Sequence, residues 1–200
     1  MFKKVLALAA ALAVAFSVVG CADTVQTVDA TKAKSAKVIT QAFYDKAEID
    51  KQLAEVQNSN SSVKLDGMDI SEVAKLPVRT HNGKKCYYHK TTQRVAYNTP
   101  SDNMIVHKDG FMIASTDESD SAEWGAITSA FKEAKIDYTI KIKFKKAIAH
   151  KSKYVTLSKD KKTAIWKLSK CKKAVEGIYA YTKGSKHSAK GDWCILQEVQ

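Results

Sequence analysis

Histidine and cysteine side chains between residues 81 and 107 are the first candidates for chemistry in this chain of 200 residues. His81, Cys86 and His89 are spaced as H-x4-C-x2-H, and His107 follows them. Zinc sites usually combine closely spaced pairs of such ligands into a tetrahedron. On an extended strand Cys86 and His89 point to opposite faces, and no second pair follows at close spacing. The local spacing therefore predicts no metal and no cofactor.

The same residues could instead form a cysteine nucleophile with a histidine base, if adjacent strands brought them within hydrogen-bond reach. No glycine-flanked nucleophile elbow, S-x-x-K, H-E-x-x-H or phosphate-cradling glycine loop accompanies them. We therefore expect no enzymatic activity. Loss of an activity on substitution of Cys86 or His89 would indicate an enzyme.

Lysine dominates the C-terminal half of the chain. Asp137 to Lys190 contains 16 lysines, no arginine and three acidic residues, within a chain of formal net charge +12. Planar, bidentate recognition of phosphate or carboxylate favours arginine, so lysine indicates a more diffuse attraction to anions. The candidate anion-binding residues are Lys141, Lys143, Lys145, Lys146, Lys151 and Lys153.

The chain has four cysteines, of which Cys21 belongs to the N-terminal segment described next. The other three allow one disulfide and one free thiol if the protein is exported. We favour a bridge between Cys171 and Cys194, because both lie in the part expected to be rich in strands. The other two pairings, which involve Cys86, stay open.

The N-terminus has the pattern of an export signal. Lys3 and Lys4 give a charged start, and Val5 to Phe16 form an apolar run that is too short to span a bilayer. Small residues follow and end in the tetrapeptide Val18-Val19-Gly20-Cys21. The pattern predicts a signal peptide over residues 1–20.

The tetrapeptide that ends at Cys21 resembles the lipobox of bacterial lipoproteins. The resemblance covers residues 1 to about 23, and it implies cleavage before Cys21, whose sulfur receives a diacylglycerol. Several acyl chains, palmitate among them, hold a protein on a membrane because each buried methylene contributes about 0.8 kcal/mol. The resemblance implies a lipid-anchored protein of the cell envelope. Ala22 after the cysteine favours the outer membrane if the organism is Gram-negative.

Export determines which polyanions the lysine-rich half can meet. Outside the cytoplasm these are lipid head groups, lipopolysaccharide or teichoic acids, and the cell wall, which argues against nucleic acid. We expect a non-enzymatic lipoprotein that binds an anionic envelope component: the cell wall, an anionic lipid or an acidic envelope protein. The alternatives are an interaction or exclusion factor acting on a neighbouring membrane protein, and, ranked lower, an envelope enzyme.

Hydropathy patterns divide the mature chain into a spacer and one domain. Residues 21–36 are the acylated cysteine and a polar spacer, and residues 37–200 form a single domain with a strongly basic C-terminal half. A helical pattern runs from about residue 34 to residue 57. Its heptad-like spacing over residues 39–56 leaves an oligomer open, although packing of this helix against the domain is favoured.

The remaining elements point to an α+β fold with a twisted antiparallel sheet. Asn82-Gly83 and Asp109-Gly110 lie between strand-like runs and predict two hairpins. A capping box that starts at Asp120 predicts a packed helix near residues 120–135. From Asp137 to Lys145 apolar residues and lysines alternate, which predicts a strand with one buried face and one face of lysines.

Overall fold

The computed structural model describes residues 22–59, 62–101, 104–113, 137–170 and 178–192. Strands predominate among these residues and helices are few, which confirms the α+β fold and its antiparallel sheet. The helices are α1 (Lys46–Ser59) and α2 (Ile70–Val73), with a 3-10 turn at Leu168–Lys170. The strands are β1 (Ala22–Asp29), β2 (Ser35–Asp45), β3 (Lys64–Leu65), β4 (Met68–Asp69), β5 (Val78–His81), β6 (Lys84–Ala96), β7 (Pro100–Ser101), β8 (Met104–His107), β9 (Gly110–Ile113), β10 (Tyr138–Lys143), β11 (Ile148–Lys151), β12 (Val155–Leu157), β13 (Thr163–Lys167) and β14 (Ile178–Thr182).

The described chain forms two compact units. The first comprises residues 22–24 and 41–91, and the second comprises residues 25–40 and the described residues from 92 onward. Three strands, β1, β2 and β6, contribute residues to both units. Neither unit is therefore one continuous stretch of sequence.

The first unit packs α1 and α2 beside a short sheet. Within this unit the strand order is β1, β2, β6 and β5. Asp45 precedes α1 and accepts a hydrogen bond from the backbone N–H of Ala47 at 3.1 Å, which caps the helix N-terminus. Ile49 on α1 is completely buried, and Tyr44, Leu65 and Ile70 lie in the same core.

The second unit contains two groups of strands, in which antiparallel pairing predominates. In the first group the order is β12, β13, β10, β1, β2 and β6, and in the second it is β11, β14, β9, β8 and β7. Phe111 on β9 stacks against Phe144, which follows β10, with ring centroids 6.4 Å apart. Both rings are about 1% exposed, so the two groups of strands share one apolar core.

Register in the second group aligns the end of β8 with Tyr181 on β14, with β9 between the two strands. His107 pairs with Gly110 across the turn from β8 to β9, and Gly110 pairs in turn with Tyr181 on β14. A Cβ atom on Gly110 would lie 2.1 Å from Cδ1 of Tyr181. Only glycine fits at this pairing without displacement of the tyrosine ring.

The predictions for residues 21–56 need correction. Ala22 to Asp29 form β1 instead of an unstructured spacer, and the predicted helix begins only at Lys46. Residues 35–45 form β2, where Ala36, Val38, Ala42 and Tyr44 are buried. Burial that recurs at a spacing of two residues fits a strand. The apolar residues from 39 onward also match a helical spacing, but only because some positions of the two patterns coincide. Oligomerisation through residues 39–56 stays a prediction, but its heptad pattern crosses from a strand into a helix.

The local turn signals are confirmed more closely. Asn82 and Gly83 have φ angles of 48° and 79°, as a two-residue hairpin turn with left-handed residues requires, and they connect β5 to β6. The second hairpin forms as well, with Lys108 and Asp109 in the turn and Gly110 already in β9. The predicted helix near residues 120–135 lies outside the described residues. No helix among the described residues combines the length and apolar character needed to cross a membrane.

Candidate functional site

The predicted alternation of β10 is present from Ile140 to Lys143, whereas Thr139 before it is buried. Lys141 and Lys143 are exposed on one face, whereas Ile140 and Ile142 are buried on the other. The strand ends at Lys143, so Lys145 and Lys146 lie in the following bend and are also exposed. The candidate lysines of this region thus form two exposed groups, one on the strand and one in the bend.

A second lysine-rich loop lies directly beside this bend. The backbone N–H of Phe144 donates to the carbonyl oxygen of Lys162 at 2.9 Å, and that of Ile148 donates to the carbonyl oxygen of Lys161 at 2.8 Å. These two hydrogen bonds bring residues 144–148 together with the turn between β12 and β13. We call the exposed side chains gathered here the lysine cluster: Lys143, Lys145, Lys146, Lys159, Lys161 and Lys162.

The turn between β12 and β13 has a defined local structure. The Oδ1 atom of Asp160 accepts a hydrogen bond from the Ser158 hydroxyl and another, at 3.1 Å, from the backbone N–H of Lys162. These two bonds, the Ser158 bond foremost, lower the pKa of Asp160. Lys161 has a φ angle of 55°, a left-handed conformation that residues with a Cβ rarely adopt. The Asp160 carboxylate therefore stabilises the backbone conformation of this turn.

Carboxylates offset only part of the positive charge on this side of the unit. Lys167 Nζ lies 4.0 Å from Asp137 Oδ2. The pKa of Asp29 is lowered, first by its hydrogen bond from the Thr31 hydroxyl and further by the charge of Lys143. Within the described residues, no carboxylate oxygen lies within 4.0 Å of the ammonium groups of Lys145, Lys146, Lys159, Lys161 or Lys162.

The two other candidate lysines lie in the second group of strands. Lys151 is the last residue of β11, and Lys153 follows in a turn, where its Nζ atom lies 5.8 Å from the ring centroid of Tyr154. Both side chains are exposed. The sequence alternation singled out Lys141 and Lys143 correctly as an exposed pair. It missed Lys159, Lys161 and Lys162, which a turn adds to the cluster.

The predicted cysteine sites fall mainly outside the described residues. The acylated Cys21 and the favoured disulfide partners Cys171 and Cys194 are among those not described. Cys86 is buried with a free thiol, and burial raises the pKa of that thiol. Its neutral, buried state is typical of a structural cysteine.

The three histidines considered first as candidate ligands, His81, His89 and His107, are distributed over both units. His81 stacks on Phe43 with ring centroids 3.9 Å apart, and its Nε2 atom lies 3.1 Å from Oδ2 of Asp23. His89 lies on β6 in the same unit. His107 belongs to the second unit. His107 therefore lies in a different unit from His81, Cys86 and His89.

His107 instead lies beside two residues that follow β14 by several positions. Its Nε2 atom is 3.0 Å from Oδ1 of Asp192, and Nδ1 of His187 is 3.5 Å from the same oxygen. The two imidazole rings stack with centroids 3.4 Å apart and an interplanar angle of 13°. One ligand atom from each residue lies within 4.8 Å of the other two. We call His107, His187 and Asp192 the histidine site.

The histidine site is buried on one side and open on the other. The side chains of His107 and Asp192 are 1% and 2% exposed, whereas that of His187 is 34% exposed. Burial lowers the pKa of His107, although Asp192 opposes this shift. The pKa of Tyr181 is raised far above its ordinary value, by burial and by its hydrogen bond to Asp192. The tyrosine hydroxyl therefore stays protonated and acts as a donor.

Local sequence patterns could not reveal this site, because His187 and Asp192 lie about 80 residues after His107. Pairing of β14 with β9 brings the two segments together. Comparison of the chain with protein-family models, with curated proteins and with solved structures gives no match. Function must therefore be inferred from the chain's own residues.

Proposed function

We propose that the chain is a lipid-anchored cell-envelope protein that binds an anionic envelope component through the lysine cluster. The observation that carries this proposal is the pair of backbone hydrogen bonds from Phe144 and Ile148 to the turn between β12 and β13. These bonds hold two lysine-rich loops side by side. The proposed role is binding without catalysis.

The concentration of like charge supports a binding role because it has a cost for folding. Like charges that lie within a Debye length of about 10 Å at 0.1 M salt repel one another. Lys161 adds to this cost, since a left-handed lysine is less favourable than asparagine or glycine in a turn. Binding of an anionic partner would reduce the repulsion between these lysines and would offset their cost to folding.

The chemistry of the cluster indicates the kind of partner. Lysine ammonium groups on flexible stems attract phosphate or carboxylate as point charges, without the planar fork of arginine. Such a surface suits a polymer or membrane with many repeated anionic groups. The lipobox resemblance at Cys21 would place the protein where lipid head groups and cell-wall polymers are the abundant anions.

The proposal can be tested by cosedimentation of the chain from Ala22 onward with isolated cell walls and, in parallel, with anionic liposomes and DNA. A triple variant, Lys145→Glu, Lys146→Glu and Lys162→Glu, reverses three charges in the cluster. Lysine near an anionic membrane contributes about 1 kcal/mol each, so we expect affinity for the bound envelope component to fall at least about 100-fold. Binding by the unmodified chain should also weaken steeply with salt.

A matched control keeps the net charge equal. Lys64, Lys75 and Lys90 are exposed lysines of the first unit, and their replacement by glutamate changes the formal charge by the same amount. We expect this control to retain most of the affinity. Equal losses in both triple variants, or no binding to cell walls and liposomes, would overturn the proposal.

A further inference from the structure

Two atoms with unshared electron pairs face each other in the histidine site. Nδ1 of His107 lies 2.5 Å from Oδ1 of Asn98, and an amide oxygen can only accept, so Nδ1 carries the proton. The Nε2 atom of the neutral ring then carries the lone pair. It is buried, lies 3.0 Å from Asp192 Oδ1 and has no hydrogen-bond partner among the described residues. Two such acceptors repel each other unless a proton or a metal ion lies between them.

His187 supplies a third donor atom on the open side of the site. Its Nδ1 atom lies 3.5 Å from Asp192 Oδ1. Ligand atoms of one tetrahedral zinc ion, each about 2.0–2.1 Å from the metal, lie about 3.3 Å from one another. The two separations from Asp192 Oδ1, 3.0 and 3.5 Å, bracket that value, and all three donor atoms lie within 4.8 Å of one another. One of the two stacked rings must turn for both of their lone pairs to meet one ion.

We propose that His107, His187 and Asp192 bind a zinc ion. The donors are Nε2 of His107, Nδ1 of His187 and Oδ1 of Asp192. Two imidazoles and one carboxylate are a donor set that suits zinc better than the oxygen-seeking ions calcium and magnesium. The described residues supply three ligands, and the partial exposure of His187 leaves room for water or a small ligand as a fourth.

Two of the three proposed ligands have a hydrogen-bonded outer partner that orients them. Asn98 accepts from His107 Nδ1, and the Tyr181 hydroxyl donates to Asp192 Oδ2, which leaves Oδ1 for the metal. Asp109 Oδ1 lies 3.9 Å from His187 Nε2, on the side of that ring away from Asp192. Such outer partners fix the tautomer and orientation of metal-binding side chains.

The local fold holds the three ligands on different elements. His107 ends β8, and residues 189–192 form a helical turn that carries Asp192. The Ser188 hydroxyl caps this turn by accepting from Gly191 N–H at 3.2 Å, and Asp192 N–H donates to the Ser188 carbonyl at 3.0 Å. A zinc ion bound here would cross-link the end of β8 to the segment after β14. Metal binding should therefore raise the stability of the folded chain.

Zinc binding can be measured on the full chain in detergent after removal of metals with a chelator. Zinc content is determined by elemental mass spectrometry after dialysis against zinc chloride, and affinity by competition with a chromophoric chelator. His187→Ala removes a partly exposed ligand, and His150→Ala removes an exposed histidine on β11 as a matched control. Far-UV circular dichroism establishes that both variants are folded.

We expect the wild-type chain to bind zinc near the end of β8, and we expect His187→Ala to lose this binding while His150→Ala keeps it. Replacing an outer partner of a zinc ligand typically weakens zinc binding about 10–100-fold, so loss of the ligand His187 should weaken it at least about 100-fold. The His150→Ala variant should bind as the wild-type chain does, and zinc should raise the unfolding temperature of both but not of His187→Ala. Failure of the wild-type chain to retain zinc, or affinity in His187→Ala within threefold of wild type, would overturn the proposal.

Discussion

The side-chain oxygen Oδ1 of Asn98 lies 2.5 Å from Nδ1 of His107 and favours a proton on that nitrogen, because an amide oxygen can only accept. Asn98 itself is held by a hydrogen bond of 2.9 Å from its backbone N–H to the carbonyl oxygen of Val106. Its φ angle of 61° is left-handed, a conformation that asparagine adopts more readily than most residues. The backbone conformation of Asn98 thus positions the oxygen that contacts the buried His107 ring.

We expect Asn98→Gly to weaken zinc binding about 10–100-fold, because glycine keeps the left-handed backbone but removes the oxygen that orients His107. Asn98→Asp retains an acceptor at the same position and should restore most of the affinity. The measurement is the chelator competition described above. Similar affinities in the two variants would show that the oxygen of Asn98 does not position His107.

Gly110→Ala should disturb the hydrogen bond that the Tyr181 hydroxyl donates to Asp192. The added Cβ would meet the tyrosine ring at 2.1 Å, so the ring must move and its hydrogen bond to Asp192 must change. We expect the free energy of unfolding to fall by about 1–3 kcal/mol, as for other overpacked sites. Chemical denaturation measures this change.

Gly191→Ala is the control for Gly110→Ala. A Cβ atom at Gly191 would lie 3.5 Å from the Ser188 hydroxyl, an ordinary contact, within a helical turn. Alanine is favoured over glycine in a helix by about 0.5–1 kcal/mol, so this variant should be no less stable than wild type. Equal destabilisation of both variants would contradict the role assigned to the Tyr181 contact.

Lys161→Asn should stabilise the folded chain and weaken anion binding. A left-handed residue with an ordinary side chain costs about 1–2 kcal/mol, and asparagine tolerates this conformation better, so we expect a gain of about 0.5–1 kcal/mol. Lys159→Asn removes the same charge from the same turn at a residue without a positive φ angle. Comparison of the two by thermal unfolding separates backbone strain from charge repulsion; equal gains would mean that strain at Lys161 is negligible.

The first unit should show a pH-dependent stability that originates at Asp66. Burial raises the pKa of Asp66 above its ordinary value of 3.8, although the hydrogen bond from Tyr44 and the charge of His89 oppose the shift. The folded chain then binds more protons than the unfolded chain between the two pKa values. The free energy of unfolding therefore falls as the pH rises through this window.

Asp66→Asn should raise the unfolding temperature at pH 7, since an asparagine can accept from Tyr44 without a buried charge. It also suits the φ angle of 50° at this turn position. The gain should shrink as the pH approaches 3.8, the ordinary aspartate pKa, because the wild-type carboxyl then becomes neutral as well. A lower unfolding temperature for Asp66→Asn at pH 7 would show that the charged form of Asp66 is stabilising.

Tyr44→Phe tests the partner of Asp66. This change leaves the half-buried carboxylate without its donor, and loss of such a partner typically costs about 1–3 kcal/mol. The loss should be larger at pH 7 than in acid, where the carboxyl is protonated. Melting curves at several pH values would measure it, and a loss that does not vary with pH would contradict the assignment.

Local signals in the sequence predicted the elements that depend on few residues. Asn82-Gly83 specifies its own turn, and the alternation around Ile140 and Ile142 specifies which face of β10 is buried. Residues 36–45 show where such signals fail. Their apolar residues fit a strand and a helix about equally well, and only packing against other strands decides between the two.

The candidate sites depend on contacts between distant residues, which spacing along the chain does not show. Lys162 joins the bend after β10 through a backbone hydrogen bond to Phe144, and this bond has no sequence signature. Asp192 reaches His107 because β14 pairs with β9. A zinc site sought within a short window of sequence therefore considers only His81, Cys86 and His89, and it omits Asp192.

The early start of β1 has a consequence for how far the protein can extend from a membrane. The first strand begins at Ala22. If Cys21 carries the lipid, the linker between the bilayer and the folded chain therefore has almost no length. In that case the folded chain would lie directly at the lipid surface, whereas a flexible linker would let it reach farther. Its partner would then have to come to the bilayer, or already be part of it.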